Sequence, residues 1–305
     1  MPLAPCLALA ALAVLASASS VPPASAQPAG TERYATLPAA SPDGRLIAFD
    51  RSLPEGRHEL CVIGVGGTHP RRLAAGTETD FLPGWTEGGR RVAYVAHQGD
   101  SVSVRTIGAD GSEPRSLLTL AAKTARLSND GRRVAYTVGE WTRGRLMVAD
   151  ADGRNARALT DSAAGWFNIA WSRDDRLLAV TRRDSSGDLQ VWIVDPQGGG
   201  ARALTAFGGS QGRPQWPAWS PDGRRVAIQA GTYSREHPET STSDIWVIEV
   251  ASGKATCITR RPRPWLDETP SYLPDGRVVF QSTRSGRFDV WVMNGDGSRP
   301  RQVTR

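Results

Sequence analysis

The chain is 305 residues long, 39% hydrophobic and 22% charged, with a formal net charge of +6 at pH 7. The positive charge is nearly all arginine, with Lys only at 123 and 254, and it is spread through the whole length. That spread excludes the clustered cationic face that a phosphate backbone requires, so no nucleic-acid partner is expected, while acidic partners remain compatible with the balance.

Residues 1–26 carry no charged side chain, hold an apolar run over 7–16 and end in Ala24-Ser25-Ala26 before Gln27, the pattern of a cleaved export signal without the usual basic residue near Met1. Ser17, Ser19, Ser20, Pro22 and Pro23 interrupt the run short of the roughly 18 apolar residues of a membrane span. The expectation is a signal peptide over 1–26, a short segment over 27–33, and a mature protein that is periplasmic or secreted with no stable membrane insertion.

From residue 34 onward one phrase recurs: Ser41-Pro42-Asp43-Gly44-Arg45, Thr86-Glu87-Gly88-Gly89-Arg90, Ser128-Asn129-Asp130-Gly131-Arg132, Ser172-Arg173-Asp174-Asp175-Arg176, Ser220-Pro221-Asp222-Gly223-Arg224 and Leu273-Pro274-Asp275-Gly276-Arg277. Its fourth residue falls at 44, 89, 131, 175, 223 and 276, a period in the forties to fifties that marks stacked supersecondary units. Each unit holds four short runs rich in β-branched and aromatic residues: one ending in Trp-Ser, one such as Arg225-Val226-Ala227-Ile228-Gln229, one such as Asp244-Ile245-Trp246-Val247-Ile248, and an Arg-x-Leu-Thr tail. Short length and flanking turn residues make all four strands. The Asp-Gly pairs fold them back as tight hairpins, with Asp at a central turn position and Gly accepting the positive φ that follows. Two such hairpins make a four-stranded antiparallel blade, and six copies make an all-β, six-bladed β-propeller.

The repeat, best seen in Pro274-Asp275-Gly276 followed by residues 282–293, resembles the TolB-like propellers built from WD40-like (PD40-type) repeats. The resemblance covers about 34 to 305, with blades expected near 34–80, 81–122, 123–164, 165–213, 214–265 and 266–305. The family's periplasmic namesake carries a further α/β domain before its propeller, so the short 27–33 segment leads to the expectation of a propeller-only relative. Such scaffolds leave function to the sites grafted onto them.

Catalytic and metal motifs are sparse. Gly208-Gly209-Ser210-Gln211-Gly212 has the spacing of a nucleophile elbow, but Arg213-Pro214-Gln215-Trp216-Pro217 cannot begin the helix that such an elbow needs. His58, His69, His97 and His237 never fall at metal-ligand spacing. Cys61 and Cys257 align with a third strand of blade 1 and a fourth strand of blade 5, too far apart for a disulfide. No catalytic residue, metal or cofactor is expected.

Loop length carries more information. Alternating strands put the first and third connections of every blade on one rim, where all are tight Asp-Gly turns. The second connections and the links between blades emerge on the other rim, where they vary in length and composition, and recognition concentrates on such loops. Trp166, Phe167, Trp216, Tyr233, Arg235, Trp265, Asp267 and Glu268 are the candidate binding residues there, since aromatic faces with polar tips anchor partners. The competing reading for Trp166 and Trp216 is packing between blades. The function expected is a monomeric, non-catalytic module binding an envelope protein or peptide. The alternatives are a carbohydrate-active or lyase-type enzyme with its site in the central funnel, and a small-ligand or metal sensor.

Overall fold

The computed structural model describes residues 34–76, 81–233, 240–259 and 265–304. The leader, the 27–33 segment and Arg235 lie outside the described residues. The described chain forms six four-stranded antiparallel sheets, each made of strands consecutive in sequence. Neighbouring sheets touch through their first strands in cyclic order, with the first strand of blade 1 packed on blade 6. This is the six-bladed propeller that the repeats predict. Helix among the described residues is confined to short 3-10 turns, one of which, Gly209–Gln211, occupies the Gly-x-Ser-x-Gly sequence between blades 4 and 5.

The innermost strands are Tyr34–Ala40, Leu82–Thr86, Thr124–Leu127, Gly165–Trp171, Arg213–Trp219 and Asp267–Tyr272. The tight turns that follow them work as the sequence implies. The Ser41 hydroxyl donates to Asp43 Oδ1 at 2.6 Å and accepts from the Leu46 amide at 2.9 Å. Ser128, Ser172 and Ser220 repeat the arrangement. Gly44, Gly131 and Gly223 take the positive φ that the turn demands. Blade 4 places Asp175 there instead, at φ 56. Its carboxylate accepts the Asn129 and Asp130 amides of blade 3, both at 2.9 Å, so the strained position is held by a bond across the seam.

Apolar side chains fill the spaces between blades. Trp85, Trp171 and Trp219 each sit in a cluster drawn from their own blade and the preceding one, with the indole N–H donating to the neighbouring inner strand at Ala39 O, Arg126 O and Ala170 O. Cys61 holds the third-strand slot that Trp192, Trp246 and Trp291 fill elsewhere, and burial pushes its thiol up to about 11. Cys61 and Cys257 are both free thiols.

Among the described residues no strand is shared between the chain ends, and blades 1 and 6 meet by packing. Ile47, Phe49 and Ile63 of blade 1 form one core with Leu273, Val279, Val290 and Val292 of blade 6. Polar contacts add to it: Ala35 N to Phe288 O at 3.0 Å, Leu37 N to Gln281 Oε1 at 2.9 Å, Ala40 N to Ser271 Oγ at 3.0 Å, and Arg301 Nη2 to Val65 O at 2.8 Å.

Candidate functional site: the axial cavity and the rim above it

Four of the six inner strands carry a bulge at the same level, with a left-handed residue at Leu37, Asn168, Trp216 and Thr269. The bulge turns the strand toward the axis just above the position that precedes the Trp-Ser pair. Across the six blades that position reads Ala39, Gly84, Arg126, Ala170, Ala218 and Ser271. Five small residues leave space on the axis and one arginine projects into it. The result is a cavity of about 190 Å³ lined by all six inner strands and by Pro42, Asn129, Arg173 and Pro221 from the tight turns.

Arg126 has no carboxylate partner among the described residues. Its Nη1 donates to Pro83 O at 2.6 Å and its Nε to Ile169 O at 3.4 Å, joining blades 2, 3 and 4. A Cβ at Gly84 would lie 3.1 Å from Arg126 Nη1, the flexible end of that side chain. Burial without a neighbouring anion lowers the guanidinium to about 10, which leaves it charged at neutral pH. Arg173, in the turn of blade 4, reaches across to the diametrically opposite blade 1 and donates to Pro42 O at 2.8 Å. That bond spans the mouth of the channel on the tight-turn side.

The residues proposed from sequence separate into three groups. Trp166 and Phe167 are only 5% and 4% exposed. Trp166 meets Trp192 edge-on at 6.0 Å beneath the Arg182 guanidinium, and Phe167 meets Trp141 of the blade 3 loop edge-on at 6.1 Å. Their placement is the inter-blade packing that was the competing reading for Trp166. Tyr233, Asp267 and Glu268 belong to a second group, a polar network below the rim. Glu268 is fully buried and accepts from Tyr233 Oη at 2.8 Å and from Gln281 Nε2 at 2.9 Å. Burial raises its carboxyl, and the Asp267 charge adds to the rise, against the two hydrogen bonds that favour the anion. Burial and the Glu268 charge likewise push the Tyr233 hydroxyl well up. Asp267 pairs with Arg284, Nη2 at 2.6 Å, and accepts from Ser282 Oγ at 2.6 Å.

Partly exposed aromatics make the third group. Trp216 sits on its bulge and lines the axial cavity, while Trp265 is half-buried with the Arg284 guanidinium 5.5 Å from its ring. Of the residues proposed from sequence, Trp216 is the one that lines this cavity. Arg126 and Arg173 were missed, although the signal was present: aligning the residue before each Trp-Ser pair exposes one arginine in a column of small side chains. Among the described residues, no three His, Cys, Asp or Glu side chains come together in a way that could hold a metal ion.

Comparison with known proteins gives this architecture a family. The chain is 29% identical over 205 residues to the Tol-Pal system protein TolB of Anaeromyxobacter dehalogenans, covering 65% of this chain and 42% of that protein. The crystal structure of TolB from Acinetobacter baumannii superposes with a TM-score of 0.67 at 20% identity, covering 85% of this chain and 63% of that one. Oligogalacturonate lyase from Vibrio parahaemolyticus shares the fold at a TM-score of 0.55 and 11% identity, covering 86% and 91%. The chain spans less than half the length of the curated relatives it matches. The profile of the PD40 family, the TolB beta propeller domain, matches residues 133–305, more than half of the chain, and the protein belongs to that family.

Proposed function

We propose that the protein is an exported, non-catalytic binding module of the cell envelope that takes a protein or peptide segment across its variable-loop rim and into the axial cavity. The observation that carries this reading is the cavity itself, a recess on the axis bordered by the half-exposed Trp216. A rigid ring of six blades presenting a preformed recess is suited to capturing a segment at low ordering cost. The similarity to proteins named as Tol-Pal system components supports an envelope setting, and residues 1–26 support export. Trp216, Arg235 and Trp265 are the proposed contact residues, and Trp166, Phe167, Tyr233, Asp267 and Glu268 the packing beneath them. Selection of a random peptide phage library on the mature protein tests the reading. Enrichment of peptides that bind the wild type and are lost on Trp216→Ala is the expected result. An empty selection would overturn it.

A further inference from the structure

The cavity lining is chemically one-sided. Among its residues the only charged side chains are Arg126 and Arg173, and neither makes an ion pair with a described carboxylate. A guanidinium has five N–H donors, of which Arg126 spends two on backbone carbonyls. The Nη2 hydrogens and one on Nη1 have no acceptor among the described residues. An uncompensated cation at the axis costs desolvation that the fold alone does not recover.

The other polar side chains of the recess are neutral: Ser271 Oγ accepts the Ala40 amide, and the hydroxyls of Thr269 and Tyr272 have no partner among the described residues. Pro38, Pro83, Pro217 and Pro270 lack the N–H that other residues would offer. The carbonyls of Ala39, Arg126 and Ala170 are taken by tryptophan indoles, and those of Pro83 and Ile169 by Arg126 itself. Neutral hydroxyls leave the guanidinium charge uncompensated, whereas a carboxylate neutralises it.

We infer that Arg126 is the anchor for an acidic side chain, Asp or Glu, of the bound segment. The inference rests on the proposed function and adds the chemistry of the ligand. The segment lies across the rim against Trp216 and lowers one carboxylate into the cavity, where the free edge of the guanidinium takes it in a charge-assisted pair. Arg173, bonded to Pro42 O across the tight-turn end, adds a second positive charge to the lining.

The test is fluorescence anisotropy with labelled, C-terminally amidated hexaglutamate and hexaglutamine. Hexaglutamate is expected to bind the wild type at least tenfold more tightly, a preference lost in Arg126→Gln and retained in Arg132→Gln, which removes an exposed turn arginine. Arg126→Gln also removes bonds between blades, so Gly84→Asp serves as a second variant. It places a carboxylate beside the intact guanidinium and is expected to abolish the preference while the protein stays folded, as thermal unfolding would report. Equal binding of both peptides, or an acidic preference that survives both variants, overturns the anchor while leaving peptide binding standing. Arg126-dependent binding of trigalacturonate, or of a peptide only when its C-terminal carboxylate is free, overturns the acidic side chain as ligand. Failure of both probes on the wild type overturns the anchor, and overturns the proposed function only if the phage selection is also empty.

Discussion

The seams around blade 6 and those around blade 4 face the same problem and meet it with different chemistry. Bulges at Leu37 and Thr269, like those at Asn168 and Trp216, interrupt the inner strand's ladder. At the first pair, a glutamine on the second strand of the preceding blade accepts the amide of the bulge residue: Gln281 Oε1 takes Leu37 N and Gln229 Oε1 takes Thr269 N, each at 2.9 Å. At the second pair the same ladder position holds Thr137 and Thr181, too short to reach, and both buried hydroxyls lack a partner. The bulge level of those seams relies instead on apolar packing, with Trp166 among Ala135, Leu146 and Val148 of blade 3, while the Asp175 bonds hold the tight-turn end. Long amides therefore carry the blade 6 seams through a connected polar network that includes Glu268, and such networks are costly to leave half-satisfied.

The contrast breaks most readily at Gln281. Gln281→Leu orphans the Leu37 amide and removes a donor from buried Glu268, so it should cost about 3 kcal/mol of unfolding free energy, read by denaturant titration. A loss below about 1 kcal/mol would show that the network contributes little to closure.

The next effect is one of pH. Burial raises the Glu268 carboxyl, so its contribution to stability is full below the ordinary carboxylate range and declines as pH rises through its folded value. Glu268→Gln removes that decline. Its melting temperature relative to wild type is expected to climb between pH 4 and pH 8, and a flat difference would contradict the assignment. The turn carboxylates have the opposite sign. The Ser220 hydroxyl, with the Arg224 amide, holds Asp222 below the ordinary range, so its contribution is lost as pH falls through that lowered value. Ser220→Ala, which also frees the Arg225 amide, should cost about 1 kcal/mol at neutral pH, with the deficit shrinking in acid.

Thr181→Val is the smallest effect. Replacing an unpartnered buried hydroxyl by a methyl of the same shape should change stability by less than about 1 kcal/mol, or raise it. A loss comparable to that of Gln281→Leu would erase the distinction between the seams.

The same division explains what could be read from the sequence. The blades were legible because each repeat brings its own turn chemistry, and a Ser-x-Asp turn needs nothing from elsewhere in the chain. The site was legible only in part. Trp166 and Phe167 stand where an inner strand begins, and only the neighbouring blade, which supplies Trp141 on one side, makes that place an interior. Asp267 and Glu268 read as rim carboxylates because Arg284, Gln281 and Tyr233 reach them from other strands and a loop. Arg126 lay in an otherwise ordinary strand, and its meaning depends on five other blades presenting small residues to the same axis.

The most direct test of axial capture is a crystal structure of the mature protein with a phage-selected peptide. Density is predicted for a segment crossing the rim at Trp216, with one acidic side chain descending to Arg126. A peptide seated on the outer edge of a blade or on the tight-turn face, with the cavity unchanged, would contradict the account.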